Sequence, residues 1–319
     1  MLRALTIVLL LAGPAAAQNA TRPSLDEQLA DAGRLLEGGR LGDYERLLRR
    51  LIPKPEDGPV QATQISSPNG LYSILWAQLA SSYLGANDYA AAERVAGERL
   101  RAAETASGTA AYPAQLFLSL MAEIYRLQSK HADAFPLYQR LVLLNERLSA
   151  DFQLRAELGY AECLMVRGES AAAETVSRPP VDPDGSWVGP SFHEDIFNTH
   201  AVAMEEAGHE AEAAELEARI DAQSRRTAPV NRQDRDLLRA RLSSARKRDA
   251  AAEAIYRKWT AYWKTSNVPG IVDPRESLRI RTAALVGYGH LLSVRGRSRE
   301  AQAIQSQLTA MGCRFGSCQ

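Results

Sequence analysis

Beyond residue 70, apolar positions recur at helical spacing in short blocks that come in pairs. Trp76, Leu79, Ala80 and Tyr83 fall at i, i+3, i+4 and i+7, one face of a helix. After Asn87-Asp88, Tyr89 and Ala92 open a second stripe. The pattern returns with Leu118, Met121, Ala122 and Tyr125, then His131, Ala134 and Tyr138. Inside these blocks, two small residues twelve positions apart occur six times: Ala80/Ala92, Ala122/Ala134, Ala161/Ala173, Ala201/Ala213, Ala240/Ala252 and Gly289/Ala301. Seven residues after each first member stands a position suited to a reversal: Asn87, Ser129, Gly168, Gly208, Lys247 and Gly296. Helices approach closely only where the side chains between them are small. Each pair therefore predicts a helix–turn–helix hairpin that crosses at its small residues.

A hairpin recurring about every 40 residues is the signature of an α-solenoid. No stretch alternates apolar and polar residues over a strand's length, so the expected class is all-α. The periodicity is uneven. Gly159-Tyr160-Ala161 to Gly168 has a near copy in Gly287-Tyr288-Gly289 to Gly296. Phe197 to Ala213 puts His200 where leucine is expected, and Asp236 to Ala252 keeps little but its small residues. An N-terminal hairpin over Leu25–Leu51, turning near Gly42-Asp43-Tyr44, reads as an atypical cap. Four segments interrupt the array: Pro53–Pro68, Arg178–Gly189, Gln223–Arg232 and Lys264–Asp273. Their proline and glycine content predicts loops, and long loops on a repeat array are where partners often touch.

The layout large-x2-Leu-small-x2-Tyr, turn, Tyr-x2-Ala from Trp76 to Ala92 resembles the tetratricopeptide repeat family nearly residue for residue. The 42-residue step from Ala92 to Ala134, with Ala134-Phe135-Pro136-Leu137-Tyr138-Gln139-Arg140, is similar to the longer kinesin-light-chain type of repeat. The resemblance implies a right-handed solenoid of about six hairpins over residues 71–311, after a cap and linker over 18–70. It also implies that the first helix of each hairpin lines a concave groove for a polypeptide.

The first 17 residues are of another kind. Arg3, an apolar run from Ala4 to Ala12, Pro14 and Ala15-Ala16-Ala17 compose a secretory signal peptide cleaved after Ala17. The apolar run is about half of the ~20 residues a membrane helix needs, and no later stretch is longer. The expectation is an exported, periplasmic or secreted product without an integral membrane segment. Arginines far outnumber lysines, as GC-rich bacterial genomes encode. Without Arg3, 37 basic side chains face 38 acidic ones, a net charge of −1. That balance gives no reason to expect nucleic acid, whose phosphates demand a basic excess. An oxidising compartment suits Cys313 and Cys318, which enclose four residues in the tail (312–319), as a local disulfide; two free thiols are the alternative. Cys163, mid-helix among leucine and alanine, reads as a small core residue.

Chemistry is sparse. Asp182-Pro183-Asp184-Gly185 lacks the further oxygen ligands of a calcium loop and reads as a turn. His193 and His200 lie about 10 Å apart along a helix, too far to share a metal, and His200 reads as a hydrogen-bonded core residue. Ser244-Ala245-Arg246-Lys247 has the Ser-x-x-Lys spacing of penicillin-recognising enzymes without the surrounding domain such enzymes need. Arg225, Arg226, Arg232, Arg235, Arg239, Arg241, Arg246, Lys247 and Arg248 concentrate positive charge, either as a solvated face or as a docking patch.

The expected function is therefore a non-catalytic scaffold, with no cofactor and no metal, that binds a protein or peptide segment. Its expected contact residues are Gln78, Glu123, Arg126, Arg155, Glu162, Asn198, Glu205 and His290 on the groove, with Trp187 in a loop, either packed or an anchor. An alternative is a receptor for a glycan or small peptide, with Trp187, Trp259, Tyr262 and Trp263 as an aromatic platform.

Overall fold

The computed structural model describes residues 25–51, 68–86, 88–108, 110–144, 150–179, 193–223, 228–266, 274–311, 313–314 and 317–318. Two compact units emerge, Met1–Glu56 and Asp57–Gln319. In the first, α1 (Leu25–Glu37) and α2 (Leu41–Leu51) form a hairpin closed by Ala32, Leu41, Tyr44 and Leu48. Its turn sits at Gly38–Arg40, ahead of the expected position. Gly39 takes the left-handed conformation (φ 69°) that only glycine enters without steric cost, and Arg40 N–H closes on the Leu35 carbonyl. Gly42, Asp43 and Tyr44 instead form the first turn of α2, where the Asp43 carboxylate accepts from Arg40 and Arg46.

The second unit is built from twelve described helices: α3 (Pro68–Gly85), α4 (Tyr89–Ser107), α5 (Tyr112–Leu127), α6 (His131–Leu143), α7 (Ala150–Arg167), α8 (Ser170–Val176), α9 (His193–Glu206), α10 (Glu210–Gln223), α11 (Ala228–Ala245), α12 (Asp249–Thr265), α13 (Pro274–Val294) and α14 (Ser298–Ala310). Each packs on the next, and α3, α5, α7, α9, α11 and α13 also touch one another in succession. The protein is thus all-helical with sequential neighbour packing, apart from a two-residue strand pair in the tail, β1 (Cys313–Arg314) and β2 (Ser317–Cys318).

The expected crossing residues are buried without exception. Ala80, Ala92, Ala122, Ala134, Ala161, Ala173, Ala201, Ala240 and Ala252 are fully covered, and Ala213, Gly289 and Ala301 nearly so. The reversals fall where the spacing places them: Ser129, Gly168, Gly208, Lys247 and Gly296 all have φ between 58° and 90°. Around each, the next residue's N–H reaches back five positions, as Lys130 does to Tyr125 and Arg248 to Ser243. This double closure satisfies the last helical carbonyls and turns the chain sharply. Asn87 lies outside the described residues. The joint expected over Gln223–Arg232 is shorter than its composition suggests, because Ala228-Pro229 open α11 and Arg232 is already helical.

One device recurs in the core. Tyr138 of α6 lies over Gly159 of α7, and Tyr256 of α12 lies over Gly287 of α13. The two glycines are the matching members of the near-copied Gly-Tyr-small segments. Each is empty of side chain because a tyrosine from the preceding helix fills the space.

Ala122, between Leu118, Ala134 and Tyr138, gives a direct test of the register. Ala122→Leu should destabilise the larger unit by about 1–3 kcal/mol through overpacking. A thermal melt indistinguishable from wild type would place this residue away from a crossing.

Candidate functional site

The polar interior gathers around Glu162 of α7. Its carboxylate accepts from Arg126 of α5 (2.8 Å) and from Arg241 of α11 (3.1 Å), and His131 Nε2 of α6 lies 3.6 Å away. Arg126 also forks onto Glu123 at 2.6 and 2.8 Å, and Tyr138 donates to the same carboxylate at 3.0 Å. Burial alone would raise the Glu162 pKa. Arg126 and Arg241, with His131, override it and hold the carboxyl well below the usual range. Two acids and two bases from three helices thus form a closed, charge-balanced quartet.

Beside the quartet is a small, partly open chamber of about 40 Å³. One wall comes from Arg126, Leu127, Ser129 and His131, where α5 turns into α6. The opposite wall comes from Arg241 and Ser244 of α11, Tyr256 of α12, and Gly287 and His290 of α13. More than a hundred residues separate the two walls in sequence. The closure is reinforced by Tyr89, at the start of α4, whose hydroxyl hydrogen-bonds His290 Nδ1. Burial pushes the His290 imidazole down to about 4 and the Tyr89 phenol up, so both are neutral at ordinary pH.

An open cleft of about 470 Å³ lies between α4 and α5. Ala90, Gly97, Met121 and Tyr125 contribute its apolar surface, and Glu93, Arg94, Glu98 and Arg101 its charges. Lys130 sits over the Tyr125 ring, 5.5 Å from its centroid.

Of the residues expected to line a groove, Glu123, Arg126 and Glu162 meet in the quartet and His290 joins the chamber. Asn198 is buried and accepts from Arg235 at 3.0 Å. Glu205 is exposed and holds Arg239 at 2.6 Å. Gln78 is half-buried and Arg155 exposed. Trp187 and the Asp182–Gly185 segment lie outside the described residues. Spacing along the chain had no means of showing Tyr89, Arg241 and Ser244 as neighbours of this set, since Tyr89 comes from the α3–α4 hairpin and the other two from α11.

Two of the expected platform aromatics are core. Trp259 and Trp263 are about 2–3% exposed, and their indole N–H groups donate to Asp236 and Gln233; Tyr262 alone shows a ring to solvent. Much of the basic run pairs with acids of α9, α10 and its own helix, while Arg232, Lys247 and Arg248 are exposed. Arg235, 1% exposed, reaches Asp221 and Glu217; Arg239 reaches Glu205, Glu217 and Asp236; Arg246 reaches Glu206. Arg225 and Arg226 lie outside the described residues. His200 is a hydrogen-bonded core residue, 3.2 Å from the Ser177 hydroxyl. Cys163 is buried, which pushes its thiol up to about 12 and leaves it unreactive. Among the described residues, no three His, Cys, Asp or Glu side chains converge as metal ligands would, and no helix is long and apolar enough to cross a membrane.

No protein-family model matches the chain, and comparison with curated proteins gives no significant match.

Proposed function

We propose that this protein is an exported, non-catalytic scaffold, a right-handed solenoid of tetratricopeptide-like hairpins, that binds a polypeptide segment. The observation that carries the reading is the contrast between two of its concavities. The chamber that gathers histidine, serine and arginine has about 40 Å³, too little for a substrate. The cleft on α4 and α5 has about 470 Å³ and is open. An apolar floor rimmed by both signs of charge suits a peptide's mixed side chains. The partner therefore meets this cleft, and Glu123, Arg126 and Glu162 act behind it as the frame. Export rests on the segment before Gln18, which lies outside the described residues. In the tail, Cys313 stands directly opposite Cys318 in antiparallel register. Such positions have Cα atoms roughly 4.5–5.5 Å apart, inside the range a disulfide spans, which supports a closed tail.

The test uses a partner recovered by pull-down from the exported fraction and calorimetry with the mature chain. A Cβ on Gly97 would meet only ordinary contacts, 3.6 Å from Arg101 and 3.9 Å from Met121, so Gly97→Leu fills the cleft without breaking the helix. This change and Arg101→Glu should each weaken binding about tenfold or more, the scale of an interface hot spot. Ser244→Ala should leave affinity unaltered. Unchanged binding in both cleft variants, with loss on Ser244→Ala, would move the function to the chamber.

A further inference from the structure

The polar side chains that line the chamber share one property. Arg126, Arg241, His131, His290, Ser129 and Ser244 can all donate a hydrogen bond, and no carboxylate is among the lining residues. His131 is 5% exposed, and both of its ring nitrogens are buried without a hydrogen-bond partner, its closest approach being the 3.6 Å to Glu162. A buried imidazole must carry a hydrogen on at least one nitrogen, and leaving it unmet costs free energy. The Tyr89 hydroxyl hydrogen-bonds His290 Nδ1, which leaves Nε2 as the ring nitrogen outside that bond. Ser244, 5% exposed, has a hydroxyl with no bond to another described side chain, while Arg295 of the following hairpin holds its backbone carbonyl at 2.6 Å.

We propose that this chamber is a binding site for a small anion, of the size of a halide or formate, held between the α5–α6 turn and α11–α13. Size selects the ligand. At ~10–15 Å³ for each water, about 40 Å³ holds roughly three or four water-sized bodies, so a phosphate ester or a peptide carboxylate with its chain attached does not fit. Charge permits it. The two arginines are already balanced by Glu123 and Glu162, so a lone anion meets neither a net negative wall nor a competing acid among the lining groups. Its role would be cohesive, because it would bond at once to helices from distant hairpins. This inference is independent of whether the α4–α5 cleft binds a polypeptide.

The experiment is titration of the full mature chain with sodium bromide at constant ionic strength, with gluconate, too large for the chamber, as the replaced anion. Crystals soaked in bromide are then read by anomalous scattering. The expected result is a single saturable site, a bromide peak inside the chamber beside His131 and Ser244, and a higher melting temperature in bromide than in gluconate. Ser244→Ala and His131→Phe should each weaken bromide at least about tenfold, the scale of one hydrogen bond to a charged group. His209→Gln, exposed and outside the chamber, should not. Should His131→Phe fail to fold, Ser244→Ala decides, since it removes the hydroxyl and adds no atom. Water alone in the chamber, or bromide affinity equal in wild type and Ser244→Ala, would overturn the proposal.

Discussion

Glu162→Ala is expected to cost the larger unit about 3 kcal/mol, the lower end of the range for breaking a buried ion pair from one side. At ~2–4 °C per kcal/mol for a unit of this size, the melting temperature falls by roughly 6–12 °C. The cause is what is left behind rather than what is lost. Glu162 is 4% exposed, and its removal leaves Arg241 and His131 with no acid, while Arg126 keeps only Glu123. The lower end applies because Arg241 is about a third exposed and water replaces part of its partner. Glu169→Ala, which breaks an exposed pair with Arg167, should stay within ~0.5 kcal/mol. Equal melting curves for the two variants would show that the quartet does not hold the helices together.

The same group makes stability depend on acid. Glu162 is ionised in the folded chain well below its unfolded pKa, so its contribution is complete above about pH 4.5 and is lost as pH falls through the folded value. His290 acts in the same direction from a higher starting point. Burial keeps it neutral down to about 4, whereas the unfolded chain takes up that proton near 6.5, so stability declines across this interval. Denaturant midpoints measured from pH 7 to pH 3.5 should fall in both ranges, and the fall below 4.5 should be smaller in Glu162→Gln.

The second large effect concerns a methyl group. Gly159→Ala should destabilise by about 2 kcal/mol, although alanine is favoured over glycine in a helix by up to ~1 kcal/mol. The added carbon would stand 2.2 Å from Cζ of Tyr138, whose side chain is 2% exposed and anchored through its hydroxyl to Glu123. Overpacking of this kind costs ~1–3 kcal/mol or more. Gly287→Ala should behave alike, since its Cβ would stand 2.5 Å from Tyr256 Cε1. Gly33→Ala, with nothing within 4 Å, should instead stabilise its helix by roughly 0.5–1 kcal/mol. The opposite signs are the test. A stabilising Gly159→Ala would mean that Tyr138 does not sit there.

Local rules made much of the fold legible. A small residue at a crossing and a left-handed residue seven positions later are short-range requirements of packing and of helix termination, and spacing reveals them directly. Thus Ala122, Ser129 and Ala134 were placed correctly from their intervals. The same spacing put Ser129 and Lys247 at turns that usually demand glycine. The N-terminal turn was misplaced because Gly38-Gly39 and Gly42 offer equal breaks. Only the backbone hydrogen bonds from Gly39 and Arg40 distinguish them.

The sequence by itself determined the all-helical class, the crossing residues and the reversals at Ser129, Gly168, Gly208, Lys247 and Gly296. All of these follow from side-chain size and backbone geometry within about 20 residues. What faces what was decided only in three dimensions. Glu123, Arg126, Glu162 and His290 look from their intervals like a polar stripe open to a ligand, yet Arg241 and Tyr89, remote in the chain, turn them inward. The basic run around Arg239 likewise meets acids of α9 and α10 rather than solvent. Whether a charge is a surface or an interior depends on which distant helices come to pack against it, which no local pattern encodes.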